Sequence, residues 1–188
     1  MLTNTLSVGT AVTALVRYVL AENPAIGRET STMNPVVLEC SDAYLNDIRG
    51  LHVTEEHVLS ALKSASETFE EGAVGAGRGM RCHGVKGGIG SASRVFSLDG
   101  QEYTLGALAL CNHGTMQDLT ITGRHVGEQA EALLGSGWVA PSAGAASKAP
   151  APEDKGSVIV VLATDVPLSG AQCTRVARRA LAGLSRTG

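Results

Sequence analysis

Apolar and polar positions along this chain recur at two periods, and the change from one to the other marks its elements. Val12, Leu15, Val16 and Val19 fall at i, i+3, i+4 and i+7, one apolar stripe of a helix over Leu6–Glu22. Asn23-Pro24 ends it, because a residue before proline is pushed out of the helical region. After a polar loop, Val36-Val37-Leu38 closed by Glu39-Cys40 reads as a short strand. Thr54–Phe69 returns to helical spacing, with Thr54 as N-cap, Glu55 and Glu56 at the positive end of the dipole, and Val58, Leu62, Ala65 and Phe69 as the buried face. Ile89–Leu98 and Glu102–Cys111 alternate around Asp99-Gly100, a strong hairpin signal. Leu119–Ile121 is a further short strand, and Val126–Leu134 a short helix stopped by Gly135. The run Ser157-Val-Ile-Val-Val-Leu-Ala-Thr164, ended by Asp165-Val166-Pro167, has the unbroken apolar character of a strand buried on both faces. Ser169-x-x-Gln172 is a capping box for a last helix whose stripe is Cys173, Val176, Ala177, Ala180, Leu181 and Leu184. Hairpins beside helices predict an α+β layered sandwich in a single domain.

Composition narrows the class. The 188 residues are 44% hydrophobic, 18% charged and only 3% aromatic, so the core is built from Val, Leu, Ile and Ala. A net charge of −3 without a basic run argues against nucleic acid as a partner. No stretch reaches the apolar length of a membrane span, and the start MLTNTLSVGT lacks the pattern of a signal peptide. Cys40, Cys82, Cys111 and Cys173 are widely spaced, which fits reduced, buried thiols and a cytoplasmic setting, and excludes a C-x-x-C zinc or redox motif.

The candidate chemistry gathers at junctions. Residues 136–156 are rich in Gly, Ala, Ser and Pro with no hydrophobic period, which reads as a flexible loop meeting a core strand at the Gly156–Ser157 bond. If that bond were cut, Ser157 would carry a free α-amine beside its hydroxyl, a nucleophile and base in one residue. Gly-Ser before a strand is also an ordinary turn. Ser41–Asp47 collects carboxylates, a phenol and an amide at a strand exit, as a pocket wall or as a turn capped by its own side chains. Asn112, followed by His113-Gly114, ends a strand and either closes a turn or donates into a pocket. The glycines between Gly72 and Gly90 lack the Lys-Ser/Thr ending of a phosphate loop and fit close backbone approach instead. Cys82-His83 is disfavoured as a dyad, since neighbours on a strand point to opposite faces.

Five blocks agree with one family in the same order: LTNTLSVG (2–9), NPVVLECSDAYLNDIRG (34–50), VGAGRGMRCHGVKGGIGSASR (74–94), LGALALCNHG (105–114) and GSVIVVLATDVPL (156–168). Together they resemble the DmpA-type aminopeptidases, which include L-aminopeptidase/D-Ala-esterase-amidases and β-peptidyl aminopeptidases. The resemblance implies a four-layer αββα sandwich, self-cleavage at Gly156–Ser157, and division into an α-chain portion (1–156) and the start of a β-chain portion (157–188). It implies Ser157 as the nucleophile, Asn112 as an oxyanion donor, Tyr44 as the active-site phenol, and Glu39, or else Asp42, as the anion that holds a substrate ammonium. It implies a small peptide, amide or ester substrate with a free N-terminus, no metal or cofactor, and a homo-oligomer of αβ units. Members of that family carry a segment before the LTNTLSVG block and a Gly-Ser-Gly-acid segment after the last helix. The chain is therefore expected to be incomplete at both ends, and a catalytically inactive truncated fragment is the competing expectation. Ornithine acetyltransferases share the fold but cut before a Thr, so Ser157 disfavours that acyl transfer.

Overall fold

The computed structural model describes residues 1–135 and 156–188; the expected loop at 136–155 lies outside the described residues. Contacts divide the chain into Met1–Glu70 and Glu71–Gly188.

In Met1–Glu70, β1 (Leu2–Thr3) runs parallel to β2 (Leu38–Glu39), the strand expected near Val36–Leu38. The Asn4 side chain then accepts from the Ser7 amide at 3.1 Å and starts a 3-10 turn that feeds α1 (Val8–Glu22). The helix stops where the spacing placed its end, with the Asn23 N–H bonded back to the Val19 carbonyl. Its packed face differs from expectation. Ala11 and Ala14 are 0% and 1% exposed, whereas Val12, Leu15, Val16 and Val19 are only half-buried. The two alanines meet Val58 of α2 (Glu55–Lys63), and of the expected stripe Leu15 packs against that contact. Small residues allow the close approach, so the tightest seam runs beside the stripe of branched residues rather than along it.

Thr54 caps α2 as expected, and its N–H donates to His57 Nδ1 at 3.0 Å, so His57 completes a capping box. The helix ends at Lys63, short of the expected Phe69. Beyond it the Ser66 hydroxyl bonds to the Thr68 carbonyl, a local alternative to the helical ladder. Ala65 and Phe69 are consequently exposed, not part of a buried face.

In Glu71–Gly188, Gly72 and Ile89 exchange backbone hydrogen bonds of 2.7 and 2.9 Å around a 3-10 turn at Gly75–Gly79. A Cβ on Gly88 would lie 2.3 Å from the Gly72 carbonyl oxygen, so this glycine permits the close backbone approach read from the composition. Lys86 Nζ donates to the carbonyls of Gly77, Met80 and Gly87 at 2.8, 3.2 and 2.6 Å and ties the turn together. We expect Gly88→Ala to cost about 3 kcal/mol of stability through backbone overlap, and Gly90→Ala, with nothing within 4 Å of its added carbon, to be near neutral. Chemical denaturation of the two variants side by side checks this.

Three hairpins follow one plan. β3 (Arg81–Cys82) and β4 (Val85–Lys86) turn at His83-Gly84, with φ of 48° and 81°. β5 (Ile89–Leu98) and β6 (Gln101–Asn112) turn at Asp99-Gly100, with φ of 50° and 79°, as the Asp-Gly signal predicts. β7 (Thr120–Ile121) and β8 (Arg124–His125) turn at Thr122-Gly123, with φ of 51° and 79°. Two successive left-handed residues match the twist of paired strands. α3 (Gly127–Leu134) comes next and ends at Gly135.

β9 (Ser157–Thr164) pairs antiparallel with β6 and completes the sheet β5-β6-β9. It is not buried along its whole length: Ile159 is 6% exposed, but Val161, two residues on and on the same face, is 38% exposed. Burial concentrates at the end where Leu110 (0%) and Asn112 (8%) leave β6. The Ser169–Gln172 capping box opens α4 (Gly170–Ala177) as expected. The single last helix is in fact two, because hydrogen bonding tightens to i→i+3 at Arg179 N–H to Val176 O before α5 (Ala180–Leu184) begins. Its expected stripe is largely open, with Leu181 66% exposed and Cys173 exposed, so Cys173 is not the buried thiol the spacing implied. Among the described residues no helix is long and apolar enough to cross a membrane.

Candidate active site

The pairing of β6 with β9 sets Ser157 directly opposite Asn112. Opposed residues of an antiparallel pair point to the same face, with Cβ atoms about 5 Å apart. A hydroxyl and a carboxamide from distant parts of the sequence therefore share one face at one end of the sheet. Asp165 helps fix this register from the other end. Its Oδ1 accepts from the Thr104 N–H at 2.7 Å, while the Thr164 hydroxyl donates to the Thr104 carbonyl at 2.7 Å. The sequence marked Asp165 only as a strand terminator.

Gly156 reaches Ser157 in a left-handed conformation, φ 65°. A Cβ there would sit 2.8 Å from His113 Cβ and 2.9 Å from the Asn112 carbonyl oxygen. Conformation and space both demand glycine, so the Gly156–Ser157 peptide lies tight against the exit of β6. Beside it opens a cleft of about 440 Å³, lined in part by His113, Gly156, Ser157, Val158, Leu181 and Leu184. Val158, Leu181 and Leu184 supply its apolar lining, and Ser157 lines it as well.

The other expected site residues lie in Met1–Glu70. Glu39 is exposed on β2 and accepts a hydrogen bond from the Thr5 hydroxyl. Asp42 is 9% exposed; its Oδ2 accepts from Asn4 Nδ2 at 3.1 Å and from Asn46 Nδ2 at 2.9 Å. Asp42 thus braces the asparagine that opens the first 3-10 turn, a link between two sequence blocks that local reading does not supply. Tyr44 is 46% exposed on the loop after β2.

The strand-alternation argument against Cys82 and His83 acting together does not hold. His83 is at the first position of a hairpin turn, where alternation breaks down. Cys82 Sγ lies 4.0 Å from His113 Nδ1, and the rings of His83 and His113 meet edge to face at 5.4 Å. His83 is 7% exposed and contacts the Thr115 carbonyl through Nδ1 at 3.2 Å. A hydrogen bond from Cys111 outweighs burial and, with smaller help from His83 and the backbone N–H groups of His113 and His83, lowers the Cys82 thiol to about 6. Burial, and then the neighbouring His83, hold the His113 imidazole below its ordinary value, which favours the neutral ring. Cys82 should therefore alkylate with iodoacetamide along a curve whose midpoint is near pH 6 and which is level by about pH 8, against the ordinary thiol value of about 8.5. Peptide mapping across a pH series measures this.

Peptidase family S58 matches the chain over residues 1–188. The β-peptidyl aminopeptidase BapA of Sphingosinicella microcystinivorans is 45% identical over 190 residues, an alignment covering 100% of this chain and 47% of that protein. BapA of Sphingosinicella xenopeptidilytica is 42% identical over 161 residues, 84% of this chain and 39% of its own length. The chain thus spans about half the length, or less, of these curated relatives. Among solved structures, the PH0078 protein of Pyrococcus horikoshii superposes with a TM-score of 0.84 at 52% identity, over 100% of this chain and 47% of its own. The L-aminopeptidase D-Ala-esterase/amidase of Ochrobactrum anthropi, a serine aminopeptidase with a variant of the Ntn-hydrolase fold, gives 0.80 at 40% identity, over 100% of this chain and 48% of its own. Likeness at this level carries the same mixed α/β fold, and with a match that runs from the first residue to the last, the chain belongs to peptidase family S58.

Proposed function

We propose that this chain carries the nucleophile of a self-cleaving serine aminopeptidase, acting on small peptides, amides or esters with a free N-terminus. The observation that carries the reading is Ser157 at the head of β9, opposite Asn112 and behind a left-handed Gly156, in a chain of family S58. In the first step Ser157 Oγ attacks the Gly156 carbonyl carbon. The C–N bond breaks, and the hydroxyl proton passes to the departing nitrogen. Water then hydrolyses the resulting ester, leaving a Gly156 carboxylate and a Ser157 that bears both its amine and its hydroxyl. In turnover the neutral amine takes the proton from Oγ as that oxygen attacks the substrate acyl carbon. The leaving amine or alcohol departs with the proton, and water releases the acid.

Asn112 is assigned to donate its amide N–H to the developing oxyanion, a contribution typically worth about 3–4 kcal/mol of barrier. Glu39 is assigned to the substrate ammonium in preference to Asp42, whose Oδ2 already serves two asparagines. Tyr44 is assigned as the site phenol. The same reading divides the chain into an α portion, 1–156, and the start of a β portion, 157–188, and makes β5-β6-β9 one layer of a four-layer αββα sandwich. It extends to a cytoplasmic homo-oligomer of αβ units.

The test is a pair of substrate series, alanine and β-alanine anilides with free amines and the same compounds N-acetylated. Release of aniline from the free amines alone is expected. Equal turnover of the acetylated compounds would contradict an aminopeptidase.

A further inference from the structure

Cys82, His83 and His113 each present one donor atom, and these atoms all lie within 4.8 Å of one another. The reaction proposed above uses none of the three. Their backbones are held independently of any ligand. Cys82 ends β3, His83 occupies the hairpin turn, and the His83 N–H donates to the His113 carbonyl at 2.8 Å.

Two details point to a ligand rather than to a packed histidine pair. The Nδ1 of His83 reaches the Thr115 carbonyl at 3.2 Å; as the donor in that contact it leaves Nε2 with a free lone pair, the arrangement that orients metal-binding histidines. His113 Nε2 is buried and has no hydrogen-bond partner, while its Nδ1 has only the 4.0 Å contact with Cys82 Sγ. The edge-to-face contact between the rings fills space but does not satisfy that nitrogen.

We propose that Cys82, His83 and His113 form a binding site for one borderline-soft divalent cation of the zinc class. One sulfur and two imidazole nitrogens are a donor set that favours zinc over magnesium or calcium. Zn–S of about 2.3 Å and Zn–N of about 2.0 Å place tetrahedral donors roughly 3.3–3.6 Å apart, so side-chain rotation within this cluster closes the site. The Zn–S bond forms to the Cys82 thiolate, any proton still on sulfur leaving to solvent, and three protein ligands leave the fourth position to water. The site adjoins the catalytic strand end: His113 follows Asn112, and its Cβ is the atom a side chain at residue 156 would strike.

Cobalt(II) is the spectroscopic probe. The purified protein, stripped with chelator, is titrated with Co²⁺ alone. We expect saturation at one equivalent, a thiolate-to-cobalt charge-transfer band, displacement by Zn²⁺ and none by Mg²⁺. Cys82→Ser should lose the band while keeping its circular dichroism. Absence of the band in the parent protein, or its persistence in Cys82→Ser, overturns the proposal. A second readout needs no variant: Zn²⁺ should protect Cys82, but not the exposed Cys173, from iodoacetamide in the parent protein. Equal alkylation of Cys82 with and without Zn²⁺ overturns the site as well. Neither readout uses hydrolytic activity, so failure here is distinct from failure of the aminopeptidase reading.

Discussion

Replacing Ser157 with alanine should abolish both cleavage of the Gly156–Ser157 bond and hydrolysis of an alanine anilide. The change removes only an oxygen from a half-buried strand position, so β9 keeps its pairing with β6 and the fold survives. What disappears is the proposed nucleophile of both reactions. Loss of a nucleophile that works as a unit with its base costs about 10⁶ in kcat in well-studied serine hydrolases. Two outcomes are tied together here: a variant that stays uncut yet hydrolyses the anilide would place the nucleophile elsewhere. Ser157→Cys retains a nucleophile at the same point and should restore cleavage in part. Circular dichroism of both variants separates chemistry from folding.

The second large effect falls on Asn112. Asn112→Ala should lower kcat by about 10²–10³ with little change in KM, because an oxyanion donor strengthens its bond mainly as charge develops. The position is 8% exposed and pairs with Ser157 through its backbone, which the substitution leaves in place. A fall in substrate affinity at constant kcat would instead make Asn112 a binding residue. Asn112→Asp keeps the shape and sets an anion beside the proposed oxyanion, so it should be no better than alanine.

Features set within a few residues were legible in the sequence. Asp99-Gly100 specified its hairpin, Thr54 and Ser169 specified their caps, and Asn23-Pro24 ended α1 where proline sterics require. The turns at His83-Gly84 and Thr122-Gly123 use the same left-handed pair, but Thr122 is β-branched and such residues seldom take positive φ. A residue-glycine pair between two two-residue strands was the signal available. The face of α1 was misread because periodicity rewards large apolar side chains, while the seam against Val58 is made by Ala11 and Ala14.

The site shows the same division. Gly156 and Ser157 stood out as a loop–strand junction. Their position opposite Asn112 depends on a register held by eight residue pairs of β6 with β9 and by Asp165 at the far end, which only the folded sheet reveals. The cluster of Cys82, His83 and His113 depends on a turn that breaks the strand rule applied to it. Glu39 is preferred to Asp42 on the family resemblance alone. The structure separates them, one exposed and the other buried between Asn4 and Asn46.

The measurement that bears most directly on the central claim is the intact mass of the purified protein under denaturing, reducing conditions. Two fragments whose ends are Gly156 and Ser157 are the predicted result, since the account requires that bond to be cut before Ser157 can act with its own amine. A single uncut chain that nonetheless hydrolyses free-amine anilides would contradict it.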